Sequence, residues 1–369
     1  MTSLQPGRQG IYYWKCDRRA AFHGTAQTVD AREQEEIARR LRPLVAQQLK
    51  QPEVVIQTGS GQGNHLTYVA DTWSGRYFVR VENGPEGDDY MSVESLVMDR
   101  VRKLGVPSPR LYFSDASRAE APFAWQLMEL VPHPELNRHF KEGRLDCARV
   151  GKQIGRCMAM WQAAKFPGFG PFNAGLAQQA RRLEAIHPDY AGYFNTRLED
   201  HLAFLVERTF IAREYAAEIG REMESRWALL ELAEGCLVHK DLALWNILGP
   251  VDGIAAVIDW DDCIAGDAMD DLSLFACFHG GSFLRHVFAG YQAVRSFPSE
   301  WQRRFWLHLL RNLLVKAVIR VGSGYFERND GFFLIGAGGS GADLKKFTLQ
   351  RIATALQGLR EAAEPTKVL

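Results

Sequence analysis

The spacing of apolar side chains changes period several times along the chain, and each change marks an element. Over residues 30–50, Ile37, Leu41, Leu44 and Val45 recur at helical steps. "EVVIQTG", "HLTYVADT" and "RYFVRVE" follow, rich in β-branched and aromatic residues and parted by short glycine-bearing turns, which predicts three antiparallel strands. Val93, Val97, Val101 and Leu104 then form one helical stripe over residues 92–104, with Ser92 as its cap. "RLYFSD" and "FAWQLMEL" predict two more strands, so residues 31–131 read as a lobe of five strands with one helix inserted between the third and fourth.

From residue 132 to 369 the pattern is mainly helical, with long stretches at about 144–165, 197–234 and 299–321. The only strand-like interlude expected there is "CLVHKDLALWNILG", residues 236–249, which sets His239, Asp241 and Asn246 between apolar flanks. Polar groups in such a setting need partners, so this island requires hydrogen bonds or a ligand. Just beyond it, Asp252-Gly253 lies between two apolar runs, a hairpin signal that would bring Asn246 and Asp259 to neighbouring strand ends. "LHLLRNLLVKAVIRVG" is interrupted by Arg311, Lys316 and Arg320 and predicts an amphipathic helix, not a membrane span. Residues 1–30 read as an irregular arm anchored by Tyr12, Tyr13 and Trp14.

Composition narrows the chemistry. With 44 Lys+Arg against 44 Asp+Glu, no overall field favours nucleic acid or an anionic membrane, so a charged partner must be met locally. The cysteines at 16, 147, 157, 236, 263 and 277 form no C-x-x-C pair, which argues against a zinc ribbon or a disulfide framework. Together with an N-terminus that lacks the order of a signal peptide, they predict a cytoplasmic protein. Converging oxygens of Asp241, Asn246 and Asp259 suit Mg²⁺, a hard cation held by one or two carboxylates plus substrate phosphates. A phosphate-binding element should then exist elsewhere. "TGSGQGNH" provides one, since Gly59, Gly61 and Gly63 between two strands let backbone N–H groups approach phosphate oxygens.

Glycine turn, Arg80 in "FVRVE", Glu94 on the next helix, H-x-D-x-x-x-x-N and a further aspartate follow one another in the order of the protein-kinase signatures. With "VHKDLALWNIL", "AVIDWDDCIAGDAMDDLSLF", "VPSPRLY" and "GFGPF", the chain resembles the aminoglycoside phosphotransferase and choline kinase family, in particular its hygromycin phosphotransferase-like members, over roughly residues 55–275. The resemblance implies an α+β, protein-kinase-like bilobal fold: a five-stranded antiparallel N-lobe over residues 31–131 and a larger helical C-lobe over 132–369 holding the catalytic loop and acceptor site. It implies Asp241 as catalytic base and Asn246 and Asp259 as ligands of Mg²⁺. It further implies ATP (or GTP) bound by Gly59, Gly61, Gly63, Arg80, Glu94 and the hinge residues Met128, Glu129 and Val131.

Departures from the protein kinases are informative. The lysine expected two residues after the catalytic aspartate is Ala243 here, and Asp259-Trp260-Asp261 runs almost directly into Gly266-Asp267, leaving no peptide-docking segment. The expected partner is therefore a small-molecule hydroxyl acceptor: an aminoglycoside or related amino sugar, or else choline, a sugar or another metabolite. A catalytically silent nucleotide-binding module is the alternative of a different class. His239, Asp267 and Asp271 are expected to support the catalytic loop, and Lys240 to be a solvated cation. Asp261 and Asp262 read equally as an acidic rim or as ordinary loop carboxylates. Neither the acceptor nor the oligomeric state is legible.

Overall fold

Helix α1 (Ala31–Leu49) lays Ile37, Leu41 and Val45 on one face of an antiparallel sheet built from β1 (Val54–Thr58), β2 (Leu66–Thr72) and β3 (Gly75–Glu82). After helix α2 (Tyr90–Lys103), β4 (Leu111–Asp115) and β5 (Ala124–Glu129) complete the five strands that the sequence pattern predicts, in the order β1-β2-β3-β5-β4. The computed structural model describes residues 31–59, 65–82, 90–332, 334–335 and 339–369; the arm expected over 1–30, and Gly61 and Gly63, lie outside them.

Strand alternation sorts the sheet into two faces. Val79, Val81, Trp125 and Leu127 pack with α1. Arg80 and Gln126, paired across β3 and β5, point to the other face, where Gln126 donates to Met91 O and Ser95 Oγ of α2. Ser92 lies inside α2 and does not cap it, because the helix begins at Tyr90. The α2 stripe of Val93, Val97 and Val101 joins the large core of the second half, so this helix belongs to both lobes.

That second half runs through α3 (Leu136–Lys141), α4 (Cys147–Trp161), β6 (Lys165–Phe166), β7 (Phe169–Phe172), α5 (Ala174–Ala180), β8 (Ala185–His187), α6 (Tyr190–Phe194), α7 (Leu198–Glu207) and α8 (Arg213–Glu224). It continues with β9 (Gly235–Val238), β10 (Ile247–Leu248), β11 (Ala256–Val257), β12 (Ile264–Gly266), α9 (Met269–Ala276), α10 (Gly281–Gln292), α11 (Trp301–Gly322) and α12 (Gly341–Glu361). The hairpin at Asp252-Gly253 forms, pairing Ile247 with Val257. The interlude is not the only strand region, however: β6, β9, β12, β7 and β8 make a second five-stranded sheet. Strands of two to four residues, with Gly168 and Gly170 at φ 73° and 76°, are too short and too broken to show a period.

Helix α11 also departs from expectation. It is buried around most of its circumference, including His308, Arg311, Asn312 and Arg320, and is therefore a central helix instead of an amphipathic surface one. Among the described residues no helix is long and apolar enough to cross a membrane. The cysteines Cys147, Cys157, Cys236, Cys263 and Cys277 are free thiols, all buried except the half-buried Cys147.

Two stability predictions follow from this packing. A Cβ on Gly155 of α4 would collide with the backbone at Val287 and Tyr291 of α10. Gly155→Ala should therefore cost about 1–3 kcal/mol or more in urea unfolding, overpacking outweighing any gain in helix propensity. His279, buried among Phe140, Phe275 and Phe283, is pulled down to about 3 by burial and then by the Arg351 charge. A depressed folded-state value means that this histidine contributes stability present above the ordinary 6.5 and lost progressively as pH falls toward 3. Urea midpoints at pH 7.5 and 5.5 should thus drop more steeply for the wild type than for His279→Leu; parallel slopes would contradict the assignment.

Candidate active site

Strand β3 carries Arg80 into the cleft between the lobes, where its side chain is only 8% exposed. Its Nη1 donates to Glu94 Oε1 of α2 at 2.6 Å, and its Nη2 lies 3.1 Å from Asp259 Oδ1 and 3.4 Å from Asp261 Oδ2. Burial opposes the guanidinium charge, but these carboxylates outweigh it and hold Arg80 well above its usual range. The Trp260 N–H donates to Glu94 Oε1 at 3.2 Å, tying the segment after β11 to α2. Asp259 itself sits at φ 66°, a left-handed conformation uncommon for aspartate and frequent at functional sites.

Among the described residues, Glu94, Asp259 and Asp261 gather around the single guanidinium of Arg80 and the His65 ring. Partial burial in the cleft and the neighbouring Asp261 carboxylate push Asp259 well above the ordinary carboxylate range, against the pull of Arg80. Burial, and then Asp261, likewise raises Glu94 in spite of Arg80. His65, at the start of β2, meets Asp261 Oδ2 through Nε2 at 3.2 Å. His65, Asp259 and Asp261 each present one ligand atom, all within 4.8 Å of one another, a set that could hold a metal ion. Arg80 Nε is buried with no hydrogen-bond partner among the described residues.

On the second-lobe side of the cleft, the loop from β9 to β10 orients Asp241. Asn246 Nδ2 donates to the Asp241 backbone O at 2.8 Å and to its Oδ2 at 3.1 Å, while Lys316 Nζ of α11 donates to Oδ1 at 2.8 Å. Burial pulls the Lys316 ammonium down, yet the Asp241 carboxylate more than compensates and its value is raised. The Ile258 N–H donates to Asn246 O at 3.0 Å, so the hairpin does carry Asn246 next to the chain leading into Asp259.

Support comes from below. Asp271 accepts from the N–H groups of His239 and Lys240 at 2.9 and 3.1 Å and from Trp161 Nε1 at 3.0 Å. His239 accepts from the Asp241 N–H at Nδ1 and donates from Nε2 to Ile258 O at 2.9 Å. Burial lowers this histidine's value, so it is a neutral spacer. Asp267 does not touch the loop; it pairs with Arg304 at 2.8 Å and lies 3.1 Å from His308, both on α11. Nor is Lys240 solvated. Its side chain is 8% exposed and its Nζ reaches both oxygens of the fully buried Asp270 at 3.0 and 2.9 Å and Asn312 Oδ1 at 2.8 Å. Asp261 turns inward onto Arg80 and His65 and forms no outer rim.

Of the expected nucleotide-side residues, Gly59 closes the β1–β2 turn by donating to Thr67 O at 2.7 Å, and a Cβ there would press on Thr67. Met128 and Glu129 end β5, with the Glu129 N–H bound to Arg110 O at 2.8 Å, and Val131 follows in irregular chain. Gly61 and Gly63 fall outside the described residues. Sequence reasoning missed His65 and Lys316. The first stood inside the glycine-turn motif; the second had no local signal beyond being a lysine in an apolar helix.

A five-stranded antiparallel sheet over a helical half, joined through this cleft, defines a protein-kinase-like enzyme. Residues 54–306 match the model of the phosphotransferase enzyme family (APH), and the chain belongs to that family. It is a kinase-type enzyme that transfers phosphate to hydroxyl acceptors. No curated protein sequence matches it significantly. Among solved structures, the chain is similar to a thermostable variant of aminoglycoside phosphotransferase APH(4)-Ia in complex with ADP and hygromycin B, at TM-score 0.60 and 16% identity, covering 86% of this chain and 98% of that one. It is also similar to a protein from Thermobifida fusca provisionally assigned as a fructosamine-3-kinase, at 0.58 and 19%, covering 84% and 98%. A provisionally assigned aminoglycoside phosphotransferase from Ralstonia eutropha matches at 0.58 and 15%, covering 88% and 99%.

The Lys240–Asp270 pair gives a direct test of the loop's foundation. Lys240→Met leaves a fully buried carboxylate without its cation and should cost about 3–5 kcal/mol in chemical denaturation. A loss below about 1 kcal/mol, the range of exposed pairs, would show that the pair does not hold the loop.

Proposed function

We propose that this enzyme transfers the γ-phosphoryl group of ATP, or GTP, to a hydroxyl of an aminoglycoside or related amino sugar, with Mg²⁺ as cofactor, in a cytoplasmic setting. Residues 31–131 would form the nucleotide-binding lobe and 132–369 the lobe holding the catalytic loop and acceptor. The observation that carries the proposal is Arg80: one cation on the third strand is bound both to Glu94 of the following helix and to Asp259 of the second lobe. That arrangement draws the two halves of the signature to one cleft.

The donor set fits a hard divalent cation. Asp259 and Asn246 would hold it, with Asp261 and His65 close by, and the surplus of carboxylates over cations is the charge such an ion relieves. When bound, Mg²⁺ would neutralise the phosphate oxygens and align the γ-phosphoryl group. Arg80, fixed by Glu94, contacts phosphate oxygens; Gly59 and the turn after it approach the phosphates; Met128, Glu129 and Val131 offer backbone groups to the base. Asp241 accepts the proton of the acceptor hydroxyl as the new O–P bond forms and the bond to the β-phosphate oxygen breaks, releasing ADP. Positioning and charge supply most of the rate, because the transition state is loose.

The structural neighbour carrying ADP and hygromycin B supports an aminoglycoside as the first acceptor to test. A neutral sugar is the second reading, favoured by the Lys316 ammonium 2.8 Å from Asp241, which disfavours a cationic amine directly beside the reacting hydroxyl. Purified protein with Mg·ATP should release ADP in the presence of one member of a panel of aminoglycosides, amino sugars, sugars and choline. Asp241→Ala should reduce that rate by about 10²–10⁴-fold. Tight Mg·ATP binding with no turnover on a broad panel would instead favour a catalytically silent module.

A further inference from the structure

Helix α11 presents a polar seam to the catalytic loop. Asn312, Lys316 and Arg320 recur every four residues and so share one face of the helix. Asn312 accepts from Lys240 Nζ at 2.8 Å, and Lys316 donates to Asp241 Oδ1 at 2.8 Å, so neighbouring turns of the helix grip neighbouring residues of the loop. Both Asp241 oxygens are thereby held, Oδ1 by Lys316 and Oδ2 by Asn246. The loop itself has no cation to offer at this point. Ala243 is fully buried and uncharged, Lys240 is committed to Asp270, and His239 is neutral. Lys316 lies beyond residues 54–306, the span of the family match.

We propose that Lys316 is a positioning residue of the phosphoryl transfer: α11 delivers in space the cation that the catalytic loop lacks in sequence, and this cation fixes the Asp241 carboxylate for the acceptor hydroxyl. The proposal rests on the kinase reading above. In the step itself the hydroxyl proton passes to Asp241, the acceptor oxygen bonds to the γ-phosphorus of the nucleoside triphosphate, and the nucleoside diphosphate leaves. Lys316 keeps its proton throughout. With Phe278 5.8 Å from its Nζ and a side chain 19% exposed, the ammonium has an apolar wall on one side and the carboxylate as its anchor.

The test uses the full-length protein, Mg·ATP and whichever acceptor supports ADP release by the wild type. Lys316→Met, which removes charge and keeps length, should lower kcat by about 10²-fold, the scale of losing one aligned electrostatic contact. The KM for ATP should stay within about twofold, since the contact is to the base and not to the nucleotide. Lys316→Arg should retain most of the lost activity, and Lys316→Ala should be rescued saturably by ethylammonium, a response that a structural role would not give. A wild-type kcat in Lys316→Met would overturn the proposal, as would equal losses in the Met and Arg variants with no amine rescue while all melt like the wild type. Should Lys316→Met fail to fold, the Arg variant and the amine titration of the Ala variant decide. Absence of ADP release by the wild type on every acceptor would count instead against the kinase reading itself.

Discussion

One buried guanidinium sets the relation between the two halves of this molecule. Taking a charge out of water costs several kcal/mol unless well-placed counter-charges compensate, so Arg80 can occupy the cleft only if its carboxylates arrive with it. They come from separate segments: Glu94 from α2, Asp259 and Asp261 from the stretch after β11. Strand alternation turns Arg80 away from α1 and toward α2. Helix α2, in turn, commits its valine stripe to the core of the second lobe. Packing and charge thus impose the same geometry, and neither alone would bring β3 to the metal-type ligands.

The aspartates of the second lobe separate by how they are neutralised. Asp267 and Asp270 are buried, yet His308 and Arg304 beside the first and Lys240 beside the second hold both below the usual carboxylate range, whereas Asp271 has three N–H donors that do not offset its burial and is pushed up to about 7. Asp270 and Asp271 hold the β9–β10 loop to α9, while Asp267 ties the start of α9 to α11. Asp259, Asp261 and Glu94 meet at Arg80, with His65 beside Asp261, and burial together with the Asp261 charge raises Asp259 well above the ordinary carboxylate range. A carboxylate that its surroundings leave undercompensated is poised to take a cation, whereas one that is fully paired is not.

Much of this was legible in the sequence because the informative features are local. The five strands of the first sheet are rich in β-branched and aromatic residues and parted by turn signals, the Asp252-Gly253 hairpin follows from its dipeptide, and Arg80, Glu94 and Asp259, named in the sequence by their order, meet in the fold. What escaped depends on contacts distant along the chain. Lys240 looked solvated because its counter-ion, Asp270, lies 30 residues on. His65 was hidden in a glycine-rich turn and gains meaning only beside Asp261, 196 residues away. The second sheet uses strands too short to show alternation, and Ser92 failed as a cap because α2 starts before it.

Helix α11 shows why polar residues in an apolar helix admit two opposite readings. Arg311, Lys316 and Arg320 suggest an amphipathic helix, yet most of the circumference is buried and Asn312 and Lys316 turn toward the β9–β10 loop. The spacing 312, 316, 320 is the same in either case, because periodicity fixes which residues share a face but not what that face meets. What distinguishes the two is the remainder of the helix. Leu309, Leu310, Leu313, Leu314, Ala317 and Val318 line one half of the cylinder and are buried, and His308, Arg311 and Asn312 on the other half are buried as well, so the helix has no broad solvent side. A polar row on such a helix must find partners inside the protein, and the groups able to pair with an ammonium there are the acids and amides of the active-site loop.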